Sequence, residues 1–112
     1  MKLSYSEGNI AGGETVFFSV VIPTYNRKPI LEKCLKALEK QSLSQKSVVI
    51  DYEIVLVDDG STDGTLEWLE TYKDDFPHVR TFEQEHMGPA AARNLGVEKA
   101  KGDTIIFIDS DL

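Results

Sequence analysis

The sequence has little of what suits an oxidising compartment or a membrane. Cys34 is the only cysteine among 112 residues, so no disulfide can form within the chain and we expect a reducing, cytoplasmic setting. The longest apolar runs, residues 16–22 and 104–108, are far shorter than the about 20 residues that cross a bilayer. We therefore expect no transmembrane segment in these residues, although a longer form that associates with a membrane stays compatible with them.

Positive charge is also scarce. The chain has 12 Lys and Arg residues against 19 Asp and Glu residues, which gives a formal net charge of -7. Binding to a nucleic-acid backbone needs the opposite balance, so nucleic acid is not expected as a partner. An acidic protein that handles a phosphorylated small molecule needs a local anion-binding loop or a bound cation.

Length and composition indicate one globular domain. A chain of 112 residues has room for a single core, and 41% hydrophobic with 28% charged residues is typical of a globular protein. Residues 1–15 show no hydrophobic periodicity and contain three glycines, so we expect a flexible extension there. The ordered domain is expected to cover residues 16–112.

Hydrophobic patterning in that domain alternates strands with helices. The predicted strands are 16–22, 52–57, 79–84 and 104–108, and the predicted helices begin at Pro29, near Asp63 and at Pro89. The third strand is the most polar and is expected at a sheet edge. This order predicts an α/β fold of the Rossmann-like, doubly wound type, with a mostly parallel sheet and helices on both faces.

Polar residues follow three of these strands. In chain order they are Pro23, Thr24, Tyr25, Asp58, Asp59, Asp109 and Asp111. Ligands of open parallel sheets bind outside the carboxyl ends of the strands, so we expect four carboxylates to converge there. Such a cluster is costly unless hydrogen-bond donors or a cation neutralise it. Oxygen ligands of this kind suit Mg²⁺ or Mn²⁺, with substrate phosphates completing the coordination shell.

Glycine-rich loops that bind phosphate through the backbone alone are absent from the sequence. Neither G-x-G-x-x-G nor the Gly-Lys-Ser/Thr phosphate loop follows a predicted strand. The remaining possibility is metal-assisted binding of a diphosphate, with Tyr25 able to lie against a base. Asp58 and Asp59 can accept hydrogen bonds from a base or a ribose.

Four short motifs occur in a fixed order along the chain. They are residues 20–27 (VVIPTYNR), 57–65 (VDDGSTDGT), 92–96 (ARNLG) and 109–111 (DSD). Together they resemble glycosyltransferase family 2, whose members have the GT-A fold, and the resemblance covers residues 17–112. It implies an inverting transfer of a sugar from a nucleoside-diphosphate sugar, expected to be UDP-linked, to an acceptor hydroxyl.

The resemblance also implies a set of donor-binding residues. They are Pro23, Thr24, Tyr25, Asp58, Asp59, Arg93 and Asp109. Asp58 is expected to support its loop and Arg93 to lie near the diphosphate. Asp109 is expected beside the ribose, and Asp111, which completes the D-x-D motif, is expected to contact Mn²⁺ or Mg²⁺ together with Asp109.

Family members continue beyond the D-x-D motif, through acceptor-binding strands and a carboxylate that deprotonates the acceptor. No candidate for that general base occurs in residues 1–112, so we expect it beyond Leu112 and expect this stretch alone to be inactive. The acceptor and the donor sugar are not specified. Surface that the remaining part would cover also predicts self-association, with the fourth strand as a natural edge for it.

Two other functions stay open: a receiver-like signalling module, and a non-catalytic domain that binds a metal or a nucleotide. A receiver would have an acidic pair after its first strand, where this chain has Pro23-Thr24-Tyr25. For several single residues a purely structural role is an alternative to a functional one. Arg93 is compatible with a solvated helix surface, and Asp63 with a helix cap. Cys34 and Trp68 are interpreted as core residues, and His78 and His86, which lack metal-ligand spacing, as surface residues.

Overall fold

A computed structural model describes residues 15–40 and 49–109 of the chain. Most of the predicted N-terminal extension and the metal-ligand candidate Asp111 lie outside these residues. The described strands are β1 (Thr15–Thr24), β2 (Val49–Asp58), β3 (Val79–Glu83) and β4 (Thr104–Phe107). The α-helices are α1 (Lys28–Glu39), α2 (Thr65–Tyr72) and α3 (Pro89–Lys99), and a 3-10 turn (Lys73–Asp75) follows α2.

The four strands form one parallel sheet in the order β3-β2-β1-β4. The two strands with the longest apolar runs lie at its centre, where both faces are covered. The polar strand β3 lies at an edge, as its sequence predicts. The chain winds outward from β1 to β3 and then returns to place β4 on the other side of β1. The strand order therefore reverses between β1 and β4, which is where open α/β sheets bind their ligands.

Helices cover both faces of the sheet, which confirms the doubly wound α/β prediction. Successive strand residues point to opposite faces, so Val20 and Val21 enter different cores. The larger core joins β1 and β2 to α1 and α2, and its buried residues include Leu31, Cys34 and Leu35. Burial raises the pKa of the Cys34 thiol, which is in keeping with a core residue and not a reactive one. The smaller core lies under α3.

A buried polar network crosses the sheet on the α3 side. The Glu53 carboxylate accepts hydrogen bonds from Ser19 Oγ at 2.6 Å, Arg80 Nε at 2.8 Å and Lys101 N at 2.7 Å. Burial acts to raise the pKa of Glu53, but these hydrogen bonds and the Arg80 charge outweigh it and lower the pKa. Because its partners come from β1, β3 and the turn after α3, Glu53 ties these elements to β2.

The start of α2 differs by one residue from the predicted cap. Gly64 holds the N-cap position in the left-handed region, with φ 87°, and offers no side chain for capping. The Asp63 carboxylate nevertheless accepts the Thr65 N–H at 3.2 Å, and it also accepts the Lys28 N–H at 3.0 Å. Asp63 therefore joins the first turns of two helices. Trp68 packs partly buried against the larger core, as predicted.

Among the helices that the structure describes, none has the length and apolarity to cross a bilayer.

Candidate functional site

A pocket of about 230 Å³ lies at the carboxyl edge of the sheet, between β1, the end of β2 and the start of α3. Its lining contains six of the predicted site residues, which are Pro23, Thr24, Tyr25, Asp59, Arg93 and Asp109. The remaining lining residues are Arg27, His86, Pro89 and Ala92. A wider groove of about 720 Å³ between α2 and β3 contains none of the predicted residues. The topology thus brings residues from distant parts of the chain to one place.

Asp58 does not line the pocket. It is fully buried, and its two carboxylate oxygens accept hydrogen bonds from Ser61 N at 2.9 Å and Ser61 Oγ at 2.6 Å. These bonds close the turn that contains Gly60, whose φ is 88°. Asp58 is therefore placed to shape its loop. Acceptance by Asp58 of a hydrogen bond from a base or ribose, which its residue type allowed, does not fit this buried position.

Asp59 lines the pocket but is already surrounded by donors. Its Oδ1 accepts from Gln84 Nε2 at 2.7 Å and from Met87 N at 2.8 Å, and its Oδ2 accepts from Gly88 N at 3.0 Å. His86 Nδ1 lies 2.9 Å from the same Oδ2. Burial acts to raise the pKa of Asp59, but the three hydrogen bonds and the nearby His86 outweigh it and lower the pKa. Asp59 is thus a stable carboxylate that fixes the loop between β3 and α3.

An aromatic pair stands at the mouth of the pocket. The Tyr25 and His86 rings stack with centroids 4.2 Å apart and planes inclined by 27°. Tyr25 is 40% exposed. The residue after it, Asn26, has a positive φ of 49° and accepts the Thr62 N–H at 2.7 Å, which ties the Tyr25 loop to the loop after β2. His86 is exposed, as predicted, but it belongs to the pocket, which its lack of metal-ligand spacing did not indicate.

Thr24 brings an unsatisfied hydroxyl to the same pocket. Its backbone carbonyl accepts the Asp59 N–H at 2.9 Å, which fixes the ends of β1 and β2 side by side. The residue is 3% exposed, and its Oγ1 has no hydrogen-bond partner among the described residues. Buried polar atoms in native proteins are nearly always paired. An unpaired hydroxyl that faces a pocket is therefore a candidate contact for a bound ligand.

The pocket contains two arginines beside its two aspartates, although the chain as a whole is acidic. Arg27 and Arg93 both line the pocket, and so does Pro89 at the first turn of α3. The N-cap residue of α3, Gly88, has no side chain that could cap the helix. Unpaired N–H groups at a helix start, together with two guanidinium groups, favour a bound anion. The pocket can therefore hold a negatively charged ligand.

Three of the four carboxylates predicted to cluster are described, and the fourth, Asp111, lies outside the described residues. Asp58 and Asp59 are neutralised by hydrogen-bond donors, and in residues 15–40 and 49–109 there is no group of three or more His, Cys, Asp or Glu side chains that could hold a metal. Asp109 also lines the pocket. This arrangement fits an ion held by one or two protein carboxylates and completed by ligand phosphates.

Fold and pocket together define a parallel α/β domain with a pocket, lined by two arginines, where its strand order reverses. The family model described as glycosyl transferase family 2 matches residues 19–112, and the chain belongs to this family. A curated relative is the poly(ribitol-phosphate) beta-glucosyltransferase of Bacillus spizizenii, which is 41% identical over 95 residues. That match covers 83% of this chain and 14% of the relative.

Solved structures agree with this assignment. The crystal structure of S. aureus TarS residues 1–349 in complex with UDP has a TM-score of 0.70 and 35% identity, and the match covers 84% of this chain and 27% of that chain. The mannosyltransferase PcManGT from Pyrobaculum calidifontis, in complex with GDP-Man and Mn²⁺, has a TM-score of 0.71 and 30% identity, with the same coverage of 84% and 27%. The predicted GT-A fold is confirmed. The chain spans about a quarter or less of the length of these proteins.

Proposed function

We propose that this chain forms the donor-binding part of an inverting glycosyltransferase that moves a sugar from a UDP-linked donor to an acceptor hydroxyl. The observation that carries the proposal is the pocket itself, in which an aromatic ring, an unpaired hydroxyl and two arginines meet at the strand switch point. Its membership of family 2 supports this reading over a receiver-like module. A general base is expected beyond Leu112, so residues 1–112 alone should bind donor and not turn it over.

The base is proposed to lie beside Tyr25 and Asp59. An aromatic face stacks on any base, whereas an ionised carboxylate accepts hydrogen bonds only and so selects a base that presents a ring N–H. Uracil has such a group at N3, and cytosine has an acceptor there. The low pKa of Asp59 keeps it in the accepting form at neutral pH. Guanine also presents a ring N–H, so GDP is the informative competitor.

The diphosphate is proposed to lie between Arg93 and the D-x-D motif. Arg93 reaches the pocket from α3, and Asp109 reaches it from the end of β4. We propose that Asp109 and Asp111 hold Mn²⁺ or Mg²⁺ there. When bound, such an ion neutralises the charge that develops on the leaving diphosphate. Arg93 is proposed to hold the phosphate oxygens and Pro23 to form the wall behind the ribose.

Two smaller proposals concern the cellular location of the protein and its self-association. A single buried thiol, Cys34, supports a cytoplasmic location. Strand β4 is an edge of the sheet, and Phe107 on it is 50% exposed, which supports self-association of the isolated chain. The acceptor is not proposed, because the described pocket accounts for the donor only.

Calorimetric titration with UDP and Mn²⁺ tests the central proposal. We expect saturable binding of UDP, at least about tenfold weaker binding of CDP, and a clear loss with Arg93→Ala. Lys33→Ala is the matched control, because Lys33 is an exposed cation on α1 outside the pocket. Absence of a binding signal at millimolar UDP, or equal loss with Lys33→Ala, would contradict the proposal.

A further inference from the structure

The imidazole of His86 makes two contacts of the kind that the pocket offers to a base. It stacks on the Tyr25 ring with centroids 4.2 Å apart, and its Nδ1 hydrogen-bonds the Asp59 backbone carbonyl at 3.2 Å while lying 2.9 Å from the carboxylate Oδ2. Because the ionised Asp59 carboxylate only accepts hydrogen bonds, the proton of this contact belongs to His86 Nδ1. The His86 imidazole is a flat ring that stacks on Tyr25 and donates an N–H to Asp59. In both respects it resembles uracil, which has a flat face and an N–H at N3.

The Asp59 carboxylate leaves little room for a second ring. Gln84, Met87 and Gly88 donate hydrogen bonds to its two oxygens, and His86 Nδ1 stands 2.9 Å from Oδ2 where a further donor would approach. Met87 and Gly88 donate from the backbone, so they leave only if the loop rearranges. The His86 side chain is 58% exposed and can leave by rotating about its own bonds. The neighbour of the Asp59 carboxylate that a base can displace most easily is therefore His86.

The stacking contact leads to the same conclusion for Tyr25. At a centroid distance of 4.2 Å the two rings are in direct contact, so no third ring fits between them. The backbone of His86 lies close to Gly60, where an added Cβ would come within 3.1 Å of the His86 amide nitrogen. The freedom that remains is in the side chain. A base can reach the covered face of Tyr25 only after this side chain has moved.

We propose that His86 occupies the base position of the unliganded chain as an internal mimic of the base, and that donor binding displaces it from Tyr25 and Asp59. The inference rests on the proposed function, because it assumes that a base uses these two residues. His86 is therefore a specificity residue of the donor site: a base must make better contacts with Tyr25 and Asp59 than the imidazole does. A ring without an N–H for Asp59 competes poorly.

Affinity measurements give the first test. Removal of the competing ring in His86→Ala should tighten UDP binding in Mg²⁺ by about fivefold, the equivalent of one stacking contact. His78→Ala is the matched control, because His78 also stacks on a tyrosine, Tyr52, at 4.2 Å and pairs with a carboxylate, Glu39, at 3.1 Å. It lies before β3, at the opposite end of the sheet, and its removal should leave the UDP affinity unchanged. Unchanged or weaker UDP binding by His86→Ala would overturn the inference.

Proton NMR of the wild-type chain gives a second test that needs no variant. The chain has two histidines, each stacked on a tyrosine, so both should show ring-current shifts in the free state. Addition of UDP with the diamagnetic ion Mg²⁺ should move the His86 signals towards those of an exposed histidine and leave the His78 signals in place. If UDP binds and the His86 signals keep their ring-current shift, the mimic is excluded. If the wild-type chain binds no UDP, the proposed function fails and this inference fails with it.

Discussion

Gly96 of α3 lies directly against Val21 of β1. A Cβ added at Gly96 would clash with Val21 Cγ1, far inside van der Waals contact. The absence of a side chain at this position therefore sets the distance between α3 and the sheet. Because Arg93 and Pro89 belong to the same helix and line the pocket, this contact also sets how close they stand to the strand ends.

Substitution of Gly96 by alanine should destabilise the chain. Alanine gains about 1 kcal/mol in helix propensity over glycine, but overpacking against Val21 costs about 1–3 kcal/mol. We expect a net loss in the free energy of unfolding, measured by urea denaturation, and weaker UDP binding because the start of α3 moves. Asn94→Ala is the control on the exposed side of the same helix and should be neutral or slightly stabilising. A Gly96→Ala chain as stable as the wild type would show that α3 shifts without cost.

Much of this arrangement follows from local sequence. β-branched runs predict the strands, three- and four-residue apolar spacing predicts α1, and the alternation of the two predicts a parallel sheet whose strand ends gather Thr24, Asp59 and Asp109. These features depend on neighbouring residues and on chain topology alone. That is why six predicted site residues meet in one pocket.

Other features depend on contacts that local patterns do not encode. The Tyr25–His86 stack joins loops from opposite halves of the chain, and it arises only once β3 has been placed beside β2. Two of the donors around Asp59 are backbone N–H groups, from Met87 and Gly88, which no side-chain pattern reveals. The pairing of Ser19 with Glu53 depends on the register of β1 against β2, where the two residues are direct partners. Sequence alone therefore identified the acidic residues but not what neutralises them.

Because of the Glu53 network, the free energy of unfolding should decrease as the pH falls into the acid range. Folding lowers the pKa of Glu53 below that of an unfolded glutamate, so its contribution to stability is fully present above the unfolded pKa. It is lost as the pH falls through the lower, folded pKa. Glu53→Gln leaves Arg80 without its charged partner and should cost about 1–3 kcal/mol at pH 7. Urea denaturation should show this difference shrinking at pH 3.

Glu67→Gln is the matched control for this pH dependence. Glu67 is exposed on α2, and its side chain has no ion pair among those found in the described residues. Its replacement should leave the unfolding free energy unchanged at both pH values. If Glu53→Gln and the wild type differ equally at pH 7 and pH 3, the carboxylate contributes through packing and not through its charge.

The dependence of UDP binding on a metal ion should require Asp109. If Asp109 and Asp111 hold the ion, Asp109→Asn should weaken UDP binding in Mn²⁺ by at least about tenfold and make the affinity insensitive to EDTA. Asp103→Asn is the control, because Asp103 is an exposed aspartate just before β4, at the other end of the same strand. Retention of the full EDTA effect by Asp109→Asn would place the ion elsewhere.

Thr24→Val separates a role in ligand binding from a role in folding. Valine keeps the shape of threonine and removes the buried Oγ1, which has no partner among the described residues, so the free energy of unfolding should stay unchanged or rise by up to about 1 kcal/mol. If the hydroxyl contacts the nucleotide, the same variant should bind UDP about threefold to tenfold more weakly. Thr81→Val, on the exposed side of β3, is the control and should leave affinity unchanged. Loss of stability without loss of affinity would mean that the hydroxyl is paired within the folded chain, and Thr24 would then be a structural residue.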